Sequence, residues 1–159
     1  MAQPIVVSPL PRHRELVPLL ASWFVQEWSS WYGPSGQGDA IADLTAFAVS
    51  EISLPIGLVA FLGATPVGVG ALKNESNPTH KHLSPWAAAS LVLPTHRGHG
   101  VGTELVACLV RLAACLGYPH VHCATSTAIT LLRRSGWSEI EHIQYEGQLL
   151  GIFRTATAA

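Results

Sequence analysis

The run Leu91-Val92-Leu93-Pro94-Thr95-His96-Arg97-Gly98-His99-Gly100-Val101-Gly102-Thr103-Glu104-Leu105 passes from an apolar strand into a glycine-rich turn and then into a helical pattern. Such a join suits phosphate binding. Unpaired N–H groups and the positive end of the macrodipole coincide at a helix N-terminus, and glycines let the main chain approach the anion. Spacing narrows the choice of nucleotide. No lysine follows these glycines, which argues against the Gly-x-x-x-x-Gly-Lys-Ser/Thr loop of ATPases and GTPases. Gly98, Gly100 and Gly102 are spaced by two throughout, and Val121, His122 and Cys123 stand where a dinucleotide fold places an acidic residue, about 20 residues on. What fits is Arg-x-x-Gly-x-Gly, Arg97 to Gly102, directly behind a strand closing in Val92-Leu93-Pro94.

That arrangement resembles the GNAT superfamily of acyl-CoA-dependent N-acetyltransferases. The later Leu131-Leu132-Arg133-Arg134-Ser135-Gly136-Trp137 is similar to that family's helix ending in Arg-x-Gly-Trp/Phe, and the matching segments run from about Leu54 to Phe153. The resemblance implies acetyl-CoA as co-substrate. It would be held by Leu91, Val92 and Leu93 of the strand and by Arg97, Gly98, His99, Gly100, Val101, Gly102 and Thr103 of the turn, with Arg134 near a phosphate. It also implies that the strands Leu91–Leu93 and His120–Ala124 splay apart and admit the pantetheine between them. His99 reads as a variable, solvent-facing position of the turn. Arg97 either sets the turn or adds charge. Arg133 and Arg134 suit a phosphate of CoA and, equally, the negative end of their own helix.

Acetyl transfer to an amine needs a cofactor clamp, a neutral amine, stabilisation of an oxyanion and a proton for the leaving thiolate. For the base, His80 and His82 precede the strand, and an imidazole titrates near neutrality as this step asks; Glu75 and Glu51 stand behind them, and surface-loop histidines are the plainer reading. Many members of the family carry tyrosine four residues before the glycine of Arg-x-Gly-Trp, and that position here is Leu132. Tyr145 and Ser126 are the replacement donors. A thiol leaves readily near neutrality, so the missing phenol does not by itself abolish turnover. Cys108, Cys115 and Cys123 lie in apolar stretches without a neighbouring base, which disfavours an acyl-cysteine intermediate. His120, His122 and Cys123 do not make a metal site, because in a strand Cys123 faces away from the other two. Core or interface histidines are the plainer reading of that pair. Trp23, Trp28, Trp31 and Tyr32 either roof a substrate pocket or pack a core.

These residues need elements to hold them. Ile5-Val6-Val7 reads as a strand, and Leu16, Leu19, Leu20, Trp23, Phe24 and Trp28 recur at helical steps within a helix from about Arg12 to Trp31, kinked or split near Pro18. Asp39 is a reasonable cap for a helix reaching about Ser50. Ile56–Leu62 and Val67–Lys73 flank a hairpin turn at Gly63-Ala64-Thr65-Pro66, and Asn74–Ser84 is a polar loop. Pro85–Leu93 is the strand feeding the turn. Gly100–Leu116 is helical, His120–Ala124 a parallel strand, Thr127–Ser135 a helix, and Ser138–Tyr145 with Gln148–Phe153 a second hairpin around Glu146-Gly147. The order predicts an α/β (α+β) fold: a mixed sheet of six or seven strands with helices on both faces. Residues 1–155 form one domain and 156–159 a short loose tail.

Composition sets the outer limits. The 159 residues are 48% hydrophobic and 12% charged, well under the usual charged share of about 25%, which suggests apolar surface shared in a homodimer. A net charge of −1 lacks the basic stripe of a nucleic-acid binder. No apolar run is long enough to span a membrane and the opening lacks a signal peptide's pattern, so the reading is cytoplasmic. The expected function is N-acetyltransfer from acetyl-CoA to a primary amine of a small molecule or peptide, directly in a ternary complex and without metal. The alternative is a non-catalytic acyl-CoA binding or sensing module of the same fold.

Overall fold

Seven strands pair in the order β1-β2-β3-β4-β5-β7-β6 in a computed structural model that describes residues 3–76, 78–145 and 147–158. The expected N-terminus, the middle of the 74–84 loop, Glu146 of the second hairpin turn and the end of the tail lie partly outside the described residues. The elements are β1 (Ile5–Pro9), α1 (Val17–Glu27), α2 (Ser29–Tyr32), α3 (Ala40–Phe47), β2 (Ile56–Leu62), β3 (Thr65–Lys73), β4 (Trp86–Val92), α4 (Val101–Cys115), β5 (His120–Thr125), α5 (Ile129–Arg134), β6 (Ser138–Tyr145) and β7 (Gln148–Ala156).

The first helix differs from its expected span. Two 3-10 turns, Leu10–Arg12 and Arg14–Leu16, precede α1, and Pro18 falls in its first turn, where its missing N–H leaves no helical bond unmade. Trp28, at φ −121° and ψ 53°, then breaks the helix before α2. The α3 cap is as expected: the Asp39 side chain accepts a hydrogen bond from the Ala42 N–H at 3.0 Å.

Each face of the sheet buries its own core, because alternate strand residues point to opposite sides. Val59, Val69, Ala71 and Leu91 meet Leu20, Phe24, Leu44 and Phe47 of α1 and α3. Leu58, Val67, Leu72, Ala87, Val121 and Phe153 meet Val101, Leu105, Val106 and Leu109 of α4, with Leu132 of α5 completing that side. Fully burying each such aliphatic or aromatic side chain contributes about 1.5–3 kcal/mol.

The sheet is antiparallel except between β4 and β5. There a single pair, Trp86 opposite His122, joins the strands, while β5 pairs with β7 along its whole length from His120–Ala156 to Thr125–Gly151. Two residues expected in the loose tail are held instead: Ala156 belongs to β7, and Thr157 donates from its N–H to the Pro119 carbonyl at 3.0 Å and from its hydroxyl to the Tyr118 carbonyl at 2.6 Å.

Candidate functional site

Above the Trp86–His122 bridge, β4 and β5 separate, and a bulge in β4 lies within the separated stretch. The register with β3 slips between Ala71–Ala88 and Val69–Leu91, and Ala89 sits at φ +53°, the only non-glycine with positive φ among the described residues. A residue in that region is held there by its surroundings at some cost. The extra residue withdraws backbone groups from the β3–β4 ladder.

At its upper end β4 enters the turn. The Leu93 N–H donates to the Val67 carbonyl at 3.0 Å, a 3-10 turn covers Pro94–His96, and the chain then passes through Gly98 at φ +79° and Gly100 at φ +86°. Gly100 is the residue before α4 and offers no side-chain cap. The first-turn N–H groups of Val101, Gly102 and Thr103 therefore lack helical acceptors and point with the positive end of a 15-residue helix. The glycines have different causes. A Cβ at Gly98 would meet nothing within 4 Å and one at Gly100 only Ile5 Cδ1 at 3.9 Å, so the backbone angle requires them; at Gly102 it would meet Leu131 Cδ1 at 3.1 Å, so the approach of α5 does.

Arg97 sets the turn. Its Nε donates to the Val92 carbonyl at 2.9 Å and its Nη2 to Glu27 Oε1 at 3.1 Å, tying the end of β4 to the last residue of α1. Leu91 is buried, Val92 and Leu93 are half-buried, and His99 and Thr103 are exposed. Arg134 is exposed at the end of α5, and Arg133 reaches Glu139 at 3.4 Å.

Of the expected proton-handling residues, the structure brings two together. His80 is buried, with Nε2 donating to Glu141 Oε2 at 2.6 Å and Nδ1 paired with the Thr79 hydroxyl at 2.7 Å. His82 is exposed, its ring centred 5.6 Å from that of His80. Tyr145 is elsewhere: it faces Gln148 at the hairpin tip, four strand residues and about 13 Å from Glu141. Ser126 is exposed just past the end of β5. Leu132 is 1% exposed and packed within the α4 core.

Cys108 and Cys123 give no ready thiolate. Burial pushes the Cys123 thiol up to about 12 and, as the main cause, raises that of Cys108 as well. Among the described residues no group of three or more His, Cys, Asp or Glu side chains could hold a metal ion. Trp23 is core, whereas Trp28 and Tyr32 are half-buried around Phe24 at 5.0 and 5.4 Å between ring centres. The Tyr32 hydroxyl donates to Asp43 at 2.7 Å; burial, then that carboxylate, raises its pKa far above the usual phenol value.

His122, whose strand pattern reads as that of a core or interface histidine, is the buried residue beside the β4–β5 bridge. It is 4% exposed, its Nδ1 lies 3.2 Å from the Pro85 carbonyl, and its ring packs 5.5 Å from that of Trp86. Its place beside Trp86 depends on the pairing of β4 with β5, which no local pattern reveals.

A family model described as the acetyltransferase (GNAT) family matches residues 18–137. Solved structures similar to the chain include an aminoglycoside 6'-N-acetyltransferase complexed with coenzyme A, 11% identical with a TM-score of 0.78 over 97% of this chain and 98% of the other. Another is the aminoglycoside 6'-N-acetyltransferase of Enterococcus faecium, 13% identical with a TM-score of 0.76 over 97% and 98%. A third is a putative acetyltransferase of Salmonella typhimurium with its cofactor acetyl-CoA, 15% identical with a TM-score of 0.72 over 99% and 95%. These likenesses show the seven-stranded mixed fold. No curated protein sequence matches the chain.

Proposed function

The chain belongs to the GNAT acetyltransferase family, and on that premise we propose that it transfers acetyl from acetyl-CoA to a primary amine, directly, in a ternary complex. The observation carrying this reading is the separation of β4 from β5 above a single bridge, directly beneath a turn with unpaired helix N–H groups. The backbone from Gly98 to Thr103 holds the pyrophosphate, Arg97 keeps the turn in shape, and Arg134 meets a phosphate from α5. Leu91, Val92 and Leu93 offer the β4 edge to the pantetheine, and the neighbours solved with CoA or acetyl-CoA support that cofactor.

The proton route lies on the face opposite α4. His80, with both ring nitrogens engaged, anchors its segment to β6, and the exposed His82 beside it exchanges protons with solvent. A single donor, Tyr145 or Ser126, protonates the departing thiolate. Residues 1–155 act as one catalytic domain. The acceptor is a primary amine of a small molecule or peptide; two of the similar structures are named for aminoglycosides, at identities too low to carry that substrate across.

The competing reading is an acyl-CoA sensor without turnover, favoured by the burial of Leu132 where a phenol would otherwise stand. Calorimetric titration with acetyl-CoA, followed by release of CoA thiol with a panel of amines, separates the two. Tight binding with thiol release supports the enzyme. Tight binding without release from any amine supports the sensor, and no binding removes both.

A further inference from the structure

His122 Nε2 is the buried side-chain nitrogen or oxygen that lacks a hydrogen-bond partner among the described residues. A carbonyl can only accept, so the contact with Pro85 places the ring proton on Nδ1 and leaves Nε2 a bare lone pair. A buried acceptor in that state is costly until a donor reaches it. Its location gives the unpaired nitrogen meaning: β4 and β5 pair only at Trp86–His122, so an acyl group laid along β4 from the turn runs towards this residue. About 20 Å of strand separates Trp86 from the turn end of β4.

The surroundings also keep the ring neutral. Burial is the first cause lowering its pKa below the ordinary 6.5, and positive charge on Arg154 of β7, His120 of β5 and His82 of the preceding segment acts the same way. The carbonyl of Pro85 opposes them. The other histidines on this face are less suited. His80 has both nitrogens occupied, and His82 stands in solvent, where it holds no amine in place.

We propose that His122 is the general base: Nε2 receives the acceptor's ammonium group at the foot of the cleft and takes its proton. This rests on the transferase reading above. Of the three protons on the ammonium nitrogen, one passes to Nε2 and from there to solvent when the products leave. The nitrogen lone pair then attacks the thioester carbon, the carbon–sulfur bond breaks with its electrons on sulfur, a second proton ends on the CoA thiol, and the third remains on the amide. Nε2 is shut from solvent, and catalytic contacts commonly close only in the complex.

The test uses the full chain in two measurements. Imidazole nitrogen NMR of wild type should find His122 as the Nδ1–H tautomer, titrating below 6.5; the other tautomer, or titration at or above that value, overturns the proposal. CoA thiol release with phenethylamine is then followed from pH 5 to 10 in wild type, His122→Gln, His122→Phe and His82→Ala. Because the neutral ring is the active form and its pKa is depressed, wild-type kcat/KM should hold steady as pH falls to 6.5 and decline only below it. His122→Gln should lose about 10²–10⁴-fold at neutral pH, lose that acid limb, and recover towards pH 10 as the amine sheds its proton unaided. Its affinity for acetyl-CoA should stay within twofold, which separates loss of the base from loss of the fold. His122→Phe should also weaken capture of the amine, and His82→Ala should slow turnover without shifting the acid limb, because that limb belongs to His122. A wild-type profile in His122→Gln overturns this inference and leaves the transferase reading standing. A wild type that binds acetyl-CoA yet acetylates no amine at any pH overturns both.

Discussion

Gly100 lies at φ +86° with open space where a Cβ would stand, so two different reasons for a glycine can be pulled apart. A β-branched residue is strained in the left-handed region by roughly 1–2 kcal/mol, whereas asparagine tolerates it. Gly100→Val should lower thermal stability and weaken acetyl-CoA binding together, as calorimetry and thermal unfolding would show. Gly100→Asn should keep the stability; if it also keeps the affinity, backbone angle is the whole requirement, and if affinity alone falls, the turn needs room for the bound pyrophosphate. Leu132 calls for a different expectation from the one its family position suggests. At 1% exposure in the α4 core, Leu132→Tyr adds a ring and a hydroxyl to a packed site, and overpacking of this kind costs about 1–3 kcal/mol. The variant should therefore unfold more readily and gain no turnover. Faster single-turnover acetyl transfer in that variant would mean that α5 presents this position to the cleft after all.

Helix α1 and the glycine turn before α4 are joined by Glu27 and Arg97, at 3.1 Å between side chains that are 38% and 49% exposed. A pair so open contributes only about 0.2–1 kcal/mol to stability, but Arg97 also holds the Val92 carbonyl where β4 ends. Glu27→Gln should leave the melting temperature nearly unchanged and weaken acetyl-CoA binding a few-fold, and high salt should produce the same weakening in wild type while adding little in the variant. An unchanged affinity would show that backbone bonds alone shape the turn. Elements of this kind differ in how far sequence announces them. The hairpin around Gly63, the cap at Asp39 and the glycine turn are written in local residue types whose angles or hydrogen bonds allow few alternatives. The bulge at Ala89 is not, because alanine carries no sign of the +53° angle imposed on it by the register of β3. The break at Trp28 is hidden for a similar reason: helical periodicity runs through it, and the chain leaves the helix although the apolar spacing continues. The contact of His80 with Glu141 spans 61 residues, and the single bridge that puts His122 beside Trp86 arises from how two strands fail to pair, which neither strand encodes alone.

Across the whole molecule, most carboxylates already have a partner. Glu27 meets Arg97, Glu51 meets Arg12, Glu104 meets Arg111, Glu139 meets Arg133 and Glu141 meets His80, while Asp43 accepts from Tyr32 and Asp39 caps α3. With a net charge of −1, the protein has little negative field left to gather and orient a multiply charged amine. Such a field is what speeds the capture of polycations and makes it salt-sensitive. Aromatic surface is nearer to hand: half-buried Trp28 follows Glu27 at the turn and packs with Phe24 and Tyr32. An amine with one charge and an apolar body should therefore be the better acceptor. In initial-rate assays, kcat/KM for phenethylamine should exceed that for kanamycin, and raising sodium chloride from 50 to 500 mM should change the kanamycin value by less than about threefold, since that salt range screens only long-range attraction between exposed charges. A kanamycin rate that is the higher of the two and falls steeply with salt would place an unmatched acidic surface at the acceptor entrance, and the charge argument would then be wrong.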